Sequence, residues 1–430
     1  MTALEALAAP PRDPDPDSAR RPHSATGYLT GLAGIVAALA SAVLLRDWLQ
    51  PIWLKTLAVL GATAAAMLLI ELGVYRTHLN PGTGLVHPPR AFDLLRILRK
   101  LVGFWVTIGI VAFAYWLLPE YALDRYAPFR EAALWLLPAI AVLSPFYIAW
   151  VDRRQRDPDD AYAQLSALLA GQRPRDWSVL RTHTLGWLVK AFFLPLMFGF
   201  VSRDLALLWS RPLLPDPLNF SGVFERMLDL FYLLDVLIAS IAYTLTFRII
   251  DTHIRSVEPT LGGWCICLIC YEPFVRGFGE NYLQYDQDKL FWGAAFGPYP
   301  VLYAVWGTAI LALILVYTWS TVAFGLRFSN LTNRGVITTG PYRWLRHPAY
   351  VAKNLSWWMI SVPFIAGAGG SVALQSCLLL CGANLVYFLR ARTEERHLSL
   401  DPVYREYSAF IARHGLFAII SRFWTRRRLA

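Results

Sequence analysis

The stretch RGVITTGPYRWLRHPAY fills residues 334–350, and the shorter stretch RARTEE fills residues 390–395. Between them lie two apolar legs, 354–366 and 371–389. Residues 367–370 read GAGG, which is typical of a tight turn, so the two legs form a hairpin. The first leg is short for a bilayer crossing, and we do not expect two full-length spanning helices here. Charged groups beside apolar segments are costly near lipid, and they favour a functional explanation.

The whole chain has the composition of a polytopic membrane protein. Of its 430 residues, 56% are hydrophobic and only 16% are charged, and the mean hydropathy is +0.41. This balance excludes an ordinary soluble enzyme. The net charge is +10, but the Lys and Arg residues lie in short loops between apolar segments. We interpret them as topology signals and contacts with anionic membrane lipids, and we expect no nucleic-acid partner.

The apolar segments predict an all-α, polytopic transmembrane helical bundle with about 8–10 membrane segments. Besides the hairpin, the segments long enough to cross a bilayer are 28–45, 52–74, 101–118, 132–151, 185–201, 227–247 and 299–325. The stretch 260–274 is short and contains glycine, and it fits a tilted span, a re-entrant piece or an interfacial helix. We expect three parts: a disordered cytoplasmic tail at 1–27, an N-terminal helical bundle at 28–250 and a C-terminal core at 251–430.

The distribution of basic residues predicts the orientation. The loops 75–100 and 152–183 are rich in Arg, whereas the loops 46–51 and 119–131 are poorer in positive charge. By the positive-inside rule, the N-terminus and the two basic loops face the cytoplasm. If residues 260–298 supply one crossing, residues 326–353 and 390–430 also face the cytoplasm. Both polar stretches that enclose the hairpin then lie on the same side of the membrane.

The motifs in the C-terminal region resemble the isoprenylcysteine carboxyl methyltransferase superfamily of integral membrane methyltransferases, which also includes phospholipid methyltransferase-like enzymes. The matching pieces are GPY at 340–342, RHPAY at 346–350 and the glutamate pair at 394–395. Each piece alone is a weak signal. In this order, with a hairpin between them, they are fairly specific.

The resemblance implies an S-adenosylmethionine-dependent methyltransferase of the isoprenylcysteine carboxyl methyltransferase type, with a site that faces the cytoplasm and a lipophilic or lipidated substrate. The residues that would bind the cofactor are Arg334, Gly335, Val336, Ile337, Tyr342, Arg346, His347, Pro348, Ala349, Tyr350, Glu394 and Glu395. The resemblance places the substrate-holding arginine at Arg390, with Arg392 as the alternative. The spacing of Arg390 and Glu394 puts both on one helix face. A planar guanidinium suits a substrate carboxylate, and a carboxylate that is already ionised needs no general base.

Some residues depart from the family pattern. Relatives usually carry a Phe-Gly-x-x-Tyr run after the glutamate pair, whereas this chain has the shorter LDPVY at 400–404. The basic-Val-Pro ending of relatives is replaced by RHGL at 413–416. Lys353 and Asn354 follow Val351 and Ala352, where relatives often have a glycine. These changes bear on the identity of the substrate more than on that of the cofactor.

Three alternatives remain open from the sequence. A phospholipid N-methyltransferase would use the same cofactor without a carboxylate-binding arginine. A sterol-reductase-like, NADPH-dependent membrane reductase shares an Arg-His-Pro-x-Tyr run, although its C-terminal region typically lacks the glutamate pair. A non-enzymatic transporter or scaffold would not need both halves of the site.

Other polar groups in apolar surroundings favour structural explanations. We expect no metal site at Cys265, Cys267 and Cys270, because no second Cys or His pair accompanies them and buried free cysteines often act as small hydrophobic residues. Lys190 and Asp235 lie inside predicted spans, and we interpret them as a structural pair or, for Lys190, as a side chain reaching toward the interface.

Overall fold

The chain is a bundle of long helices in a computed structural model that describes residues 21–212, 215–286, 290–365, 367 and 369–429. The helices are α1 (Tyr28–Leu44), α2 (Ile52–Leu69), α3 (Leu94–Leu117), α4 (Ala127–Asp152), α5 (Ala161–Leu169), α6 (Trp177–Ser210), α7 (Phe220–Thr244), α8 (Leu261–Leu268), α9 (Phe274–Tyr282), α10 (Trp292–Phe296), α11 (Pro300–Phe324), α12 (Pro348–Ser361), α13 (Gly370–Leu398), α14 (Pro402–His414) and α15 (Leu416–Leu429). Two short strands, β1 (Ser256–Val257) and β2 (Thr332–Asn333), pair antiparallel. The expectation of an all-α polytopic membrane protein is confirmed.

Within the described residues, seven helical segments are long and apolar enough to cross a membrane. They are Ile52–Val74, Leu94–Leu117, Asp124–Asp152, Trp177–Ser210, Phe220–Thr244, Pro300–Arg327 and Gly370–Leu398. The first of these is α2 with a π-helical turn, Ile70–Val74, added at its end. Helix α1 is apolar but shorter. At 17 residues it is at the lower limit of what a bilayer requires.

Several of the longer helices begin where a side chain can accept a hydrogen bond from an otherwise unpaired backbone N–H group. Asp93 accepts from Arg96 N before α3, and Asp176 accepts from Ser178 N before α6. Asp401 accepts from Val403 N before α14, where Pro402 occupies the first helical position. These polar caps explain why α3 and α6 begin before the apolar segments that the sequence marks at 101–118 and 185–201.

The loops that were expected to share one side of the membrane meet at one end of the bundle, which we call the site end. Val86 N donates to Arg154 O at 2.6 Å, so the two basic loops touch. Strand β1, in the loop after α7, pairs with β2, in the loop after α11. Ala25 N donates to Val336 O at 2.9 Å, which brings the N-terminal segment to the same place.

The segment between α7 and α11 runs from the site end to the opposite end as short helices joined by loops. Helices α7 and α11 run in the same direction, because Phe220 packs on Tyr303 near their starts and Tyr243 packs on Phe328 near their ends. The chain therefore returns through α8, α9 and α10, each far too short to span about 30 Å at 1.5 Å per residue. Helix α8, which covers part of residues 260–274, is thus one short piece of the path between the two ends of the bundle.

The C-terminal hairpin differs from the expected one in its limits. The first leg begins at Pro348 and ends at Ser361. It begins earlier than expected because proline is well suited to the first turn of a helix. The second leg, α13, continues to Leu398, so Arg390 and the glutamate pair lie in its last turns and not beyond the helix. Hydropathy marks the apolar part of a helix, whereas the Arg and Glu residues that follow are also good helix formers.

One hydrophobic cluster has members on both sides of the division near residue 250, which stays a prediction. Residues of α1, α2, α6, α7 and α11 pack in one hydrophobic cluster that includes Ala38, Val59, Leu237 and Val322. Residues 1–20 of the tail that was expected to be disordered lie outside the described residues. Residues 22–25 run beside the loop after β2, where Pro22 O accepts from Thr338 Oγ1 at 2.9 Å.

Candidate active site

The loop between α11 and α12 forms one wall of the candidate site, and Arg334 fixes it to the rest of the bundle. The buried Arg334 guanidinium donates to the carbonyl oxygens of Thr252, Ala242, Phe328 and Leu245 at 2.6–3.0 Å. Two of these carbonyls end α7, where a positive charge is favourable. Burial and the nearby Arg327 charge lower the pKa of Arg334 to about 9, so the side chain remains cationic at neutral pH. The guanidinium of Arg334 therefore stabilises the fold, although the residue also lines the cleft described below.

Two glycines permit the sharp path of this loop. Gly335 has φ +112° and Gly340 has φ +59°, values that residues with a side chain rarely adopt. A Cβ atom at Gly335 would lie 2.8 Å from Ala25 Cβ. The backbone of Gly335, Val336 and Ile337 is thus held between the N-terminal segment and the open space of the site.

Helix α14 secures the next part of the loop. The Tyr407 hydroxyl donates to Tyr342 O at 2.7 Å and to Leu345 O at 3.1 Å. Burial raises the pKa of Tyr407, which keeps its hydroxyl a neutral donor. Tyr342 is buried, and its ring packs edge-on against the ring of Phe324, with the ring centroids 5.0 Å apart. The region after the glutamate pair, which departs from the family pattern, therefore still packs against the predicted site.

The start of α12 and the end of α13 meet through two hydrogen bonds. The Tyr350 hydroxyl donates to Glu394 Oε2 at 2.7 Å. His347 Nε2 lies 3.1 Å from Glu395 Oε1, and the His347 ring stacks on Tyr350 with centroids 5.4 Å apart. The two halves of the sequence signal, separated by the hairpin, are therefore brought together.

The two glutamates have different surroundings. Glu394 faces the open space and bonds to Tyr350. Glu395 lies within 3.1 Å of Arg346 Nη1 and His347 Nε2 and within 3.5 Å of Arg392 Nη1. Glu395 thus acts as a shared counterion for Arg346 and Arg392 and as a polar partner of His347.

Arg390 occupies a tyrosine cage, formed by Tyr271, Tyr350 and Tyr387. Its guanidinium carbon lies 5.2, 5.2 and 5.9 Å from the centroids of these rings. Arg390 Nη2 also donates to Asn330 Oδ1 at 2.6 Å and to the Tyr271 hydroxyl at 3.1 Å. Arg390 is only 6% exposed. No carboxylate lies within ion-pair distance of it in the part of the chain that the structure describes.

These walls enclose a cleft of about 120 Å³. The sequence-predicted residues that line it are Arg334, Gly335, Val336, Ile337, Tyr342, Arg346, His347, Ala349, Tyr350, Arg390 and Glu394. Three predicted residues do not line it. Pro348 is buried at the start of α12, Glu395 holds the basic side chains described above, and Arg392 is 66% exposed at its side chain. Of the two candidate substrate arginines, only Arg390 thus reaches the cleft.

Several residues that line the cleft carry buried polar atoms that have no hydrogen-bond partner among the described residues. They are Nε, Nη1 and Nη2 of Arg327, Oγ1 of Thr332 and the hydroxyl of Tyr404. Arg327 faces Glu71 and Asp251 only at 3.7 and 3.6 Å. Unsatisfied buried donors and acceptors are uncommon, so these atoms mark a polar environment beside the cleft. Among the described residues, no three His, Cys, Asp or Glu side chains are grouped as metal ligands.

Sequence reasoning missed several residues of the cleft, namely Tyr271, Arg327, Asn330, Lys353, Tyr387 and Tyr407. The spacing of residues in the sequence indicates some of them. Tyr387, Arg390 and Glu394 are spaced three and four apart, so they lie on one face of α13. Tyr350 and Lys353 are likewise three apart on α12. Tyr271 and Asn330 come from distant parts of the chain, and no local pattern indicates them.

A comparison with known families agrees with this geometry. Residues 301–400 match the model of the isoprenylcysteine carboxyl methyltransferase (ICMT) family. The matched range holds the whole hairpin and every sequence-predicted site residue. No curated protein and no solved structure matches the chain significantly. The family match supports a membrane methyltransferase, and the matched residues lie in the C-terminal part of a longer polytopic membrane chain.

Proposed function

We propose that this protein is an S-adenosylmethionine-dependent membrane methyltransferase that esterifies a carboxylate on a lipophilic, isoprenylcysteine-like or other lipid-like substrate. The observation that carries the proposal is Arg390, a buried cation that lines the cleft and has no carboxylate partner among the described residues. A buried charge without a counterion is costly. An anionic substrate group beside Arg390 would remove that cost.

The residues of the cleft fit the cofactor. S-adenosylmethionine, when bound, supplies a methyl group on a sulfonium centre, which passes to a nucleophile with cleavage of the carbon–sulfur bond and release of a neutral thioether. Glu394 offers a carboxylate to its polar groups, and the rings of Tyr350 and His347 offer flat apolar faces. Arg327 and Arg334 add positive charge beside the cleft, which suits the carboxylate of the cofactor.

The chain's own part in the reaction is binding and orientation. A substrate carboxylate is ionised at neutral pH and needs no proton acceptor. Bonds from Arg390 to Asn330 and Tyr271 hold the guanidinium in one orientation, and the side chain is almost fully buried among the tyrosines. Fixing the nucleophile in this way supplies the positioning on which a displacement reaction depends.

The proposed orientation places the cleft at the cytoplasmic face. The cleft lies at the site end, together with the two basic loops 75–100 and 152–183. The positive-inside rule assigns such loops to the cytoplasm. Cofactor would then enter from the cytosol, and the lipophilic substrate would enter from the bilayer.

Arg390 also argues against an amine substrate. A tyrosine cage is a common receptor for quaternary ammonium groups, but here Arg390 already occupies it. Because Arg390 fills the cage, its ring faces are not free to receive a substrate ammonium group. The arrangement therefore favours carboxyl O-methylation over phospholipid N-methylation.

The first test is binding of S-adenosylmethionine and of NADPH to the detergent-purified protein by calorimetry. We expect saturable binding of S-adenosylmethionine that is lost in Glu394→Ala and kept in Arg390→Ala. NADPH binding alone would move the protein to the reductase class. Binding of neither cofactor would contradict the proposal.

The second test identifies the methylated atom. Membranes that contain the protein receive S-adenosylmethionine with a labelled methyl group, and the lipid products are treated with alkali. A methyl ester releases labelled methanol, whereas an N-methyl group keeps its label. Arg390→Ala should abolish alkali-labile product, and the exposed Arg392→Ala serves as the matched control. Label that is stable to alkali would favour the phospholipid N-methyltransferase.

A further inference from the structure

A second cation, Lys353, faces the same cleft as Arg390. It lies on α12, one turn after Tyr350, and lines the cleft. Its Nζ atom is 5.6 Å from the centroid of the Tyr317 ring and 5.3 Å from those of Trp357 and Tyr387. Three aromatic rings thus hold the ammonium group in place without neutralising it.

No carboxylate pairs with Lys353 in the portion of the chain that the structure describes. Asp235 on α7 interacts with Lys353 electrostatically but forms no ion pair with it, and each of its oxygens accepts a hydrogen bond from a hydroxyl. Tyr317 donates to Asp235 Oδ2 at 2.8 Å, and Thr321 donates to Oδ1 at 2.5 Å. The Tyr317 ring contacts Lys353 while its hydroxyl bonds to Asp235. Asp235 therefore orients the ring beneath Lys353, and the expected pairing of Asp235 with Lys190 does not occur, since Lys190 stacks on Trp187 at 3.9 Å.

Lys353 and Arg390 share one aromatic neighbour. Tyr387 lies 5.3 Å from Lys353 Nζ and 5.9 Å from the Arg390 guanidinium carbon. Two cations that share a ring and line one cleft repel each other. An anionic ligand that touches both removes this repulsion, whereas a ligand with one charge satisfies only one of them.

We propose that the substrate headgroup carries two anionic groups. One is the carboxylate that Arg390 holds for methylation, and the other is a second acid that Lys353 binds as a point charge. The substrate class is then a dianionic amphiphile, such as a lipid dicarboxylate. This inference rests on the proposed function and makes Lys353 a specificity residue for it.

The test compares two probes that differ by one carboxylate. They are the S-farnesyl thioethers of 3-mercaptopropionate, with one carboxylate, and of mercaptosuccinate, with two. Binding of each to the full-length protein in nanodiscs is measured by calorimetry in the presence of S-adenosylhomocysteine. We expect the dianion to bind at least tenfold more tightly than the monoanion, and this preference should fall as salt is added.

Three variants test whether the Lys353 side chain causes the preference for the dianionic probe. Lys353→Met keeps much of the packing on the aromatic rings and should bring the affinity ratio close to one. Lys353→Arg keeps the charge and should retain a preference. Lys190→Met is the matched control, because Lys190 also stacks on an aromatic ring but lies outside the cleft, and it should leave the ratio as in the wild type.

Failure of this inference is distinct from failure of the proposed function. If the monoanion is methylated and the wild type binds both probes equally, the function stands and the dianionic substrate is wrong. An unchanged ratio in Lys353→Met would also overturn the role of Lys353. Absence of binding of either probe would contradict the dianionic substrate, and loss of S-adenosylmethionine binding would contradict the function itself.

Discussion

The hydroxyl of Tyr350 donates a 2.7 Å hydrogen bond to Glu394 Oε2, and this bond joins the first turn of α12 to the last turns of α13. The two residues are 44 positions apart in the chain. Both line the cleft, so the bond fixes the distance between its walls.

Tyr350→Phe should weaken binding of S-adenosylmethionine about three- to tenfold, because Glu394 loses the donor that orients it, an effect of about 0.5–1.5 kcal/mol. Calorimetry on the purified variant measures this. Tyr299→Phe is the control, since Tyr299 is exposed at the opposite end of the bundle. Equal affinity in Tyr350→Phe and wild type would exclude a role for the bond in cofactor binding.

Glu395→Gln should act mainly on stability. The carboxylate neutralises Arg346 and Arg392, and its loss leaves the loop before α12 with uncompensated positive charge. We expect a lower melting temperature by intrinsic tryptophan fluorescence in detergent, with cofactor affinity reduced much less than in Glu394→Gln. A larger loss of affinity in Glu395→Gln than in Glu394→Gln would show that the roles of the two glutamates are reversed.

Arg334→Met should destabilise the fold by roughly 2–4 kcal/mol, because the carbonyl oxygens at the end of α7 and in the adjoining loops lose a buried charged donor. Thermal unfolding checks this. Arg343→Met is the control, since Arg343 is exposed on the same loop. Similar melting temperatures for the two variants would contradict the structural role of Arg334.

His253 should make the folded protein sensitive to acid. Burial, with the charges of Arg248 and Arg255, lowers the pKa of His253 to about 3. Between that value and about 6.5, the unfolded chain binds a proton that the folded chain does not, so stability falls as the pH falls through this range. The melting temperature should therefore drop from pH 7 to pH 5, and His253→Gln should reduce the drop. An identical drop in the variant would assign the acid sensitivity to other groups.

The sequence was informative where function depends on neighbouring residues in the chain. The turn of GPY, the RHPAY run and the spacing of Arg390 and Glu394 are local patterns, and most of the residues that they indicate line the cleft. The limits of α12 and α13 were less well predicted, because hydropathy follows the lipid-facing part of a helix and not the extent of its backbone hydrogen bonds.

The rest of the site depends on contacts between distant residues. Tyr271 and Arg390 are 119 positions apart, and nothing in the sequence around Tyr271 indicates that its hydroxyl meets a guanidinium. The role of Arg334 was likewise not visible, because its acceptors are backbone carbonyls of α7 and the adjoining loops, which any residue provides. The expected pairing of Lys190 with Asp235 was wrong, since the hydroxyls of Tyr317 and Thr321 satisfy Asp235 instead.

The contact of residues 22–25 with the loop after β2 sets an order of events during synthesis. Pro22 accepts its hydrogen bond from Thr338, a residue 316 positions further on. At about 5–20 residues per second, the early segment waits on the order of 15–60 s for its partner to leave the ribosome. Cofactor therefore meets a complete cleft wall only after most of the chain has been translated and inserted.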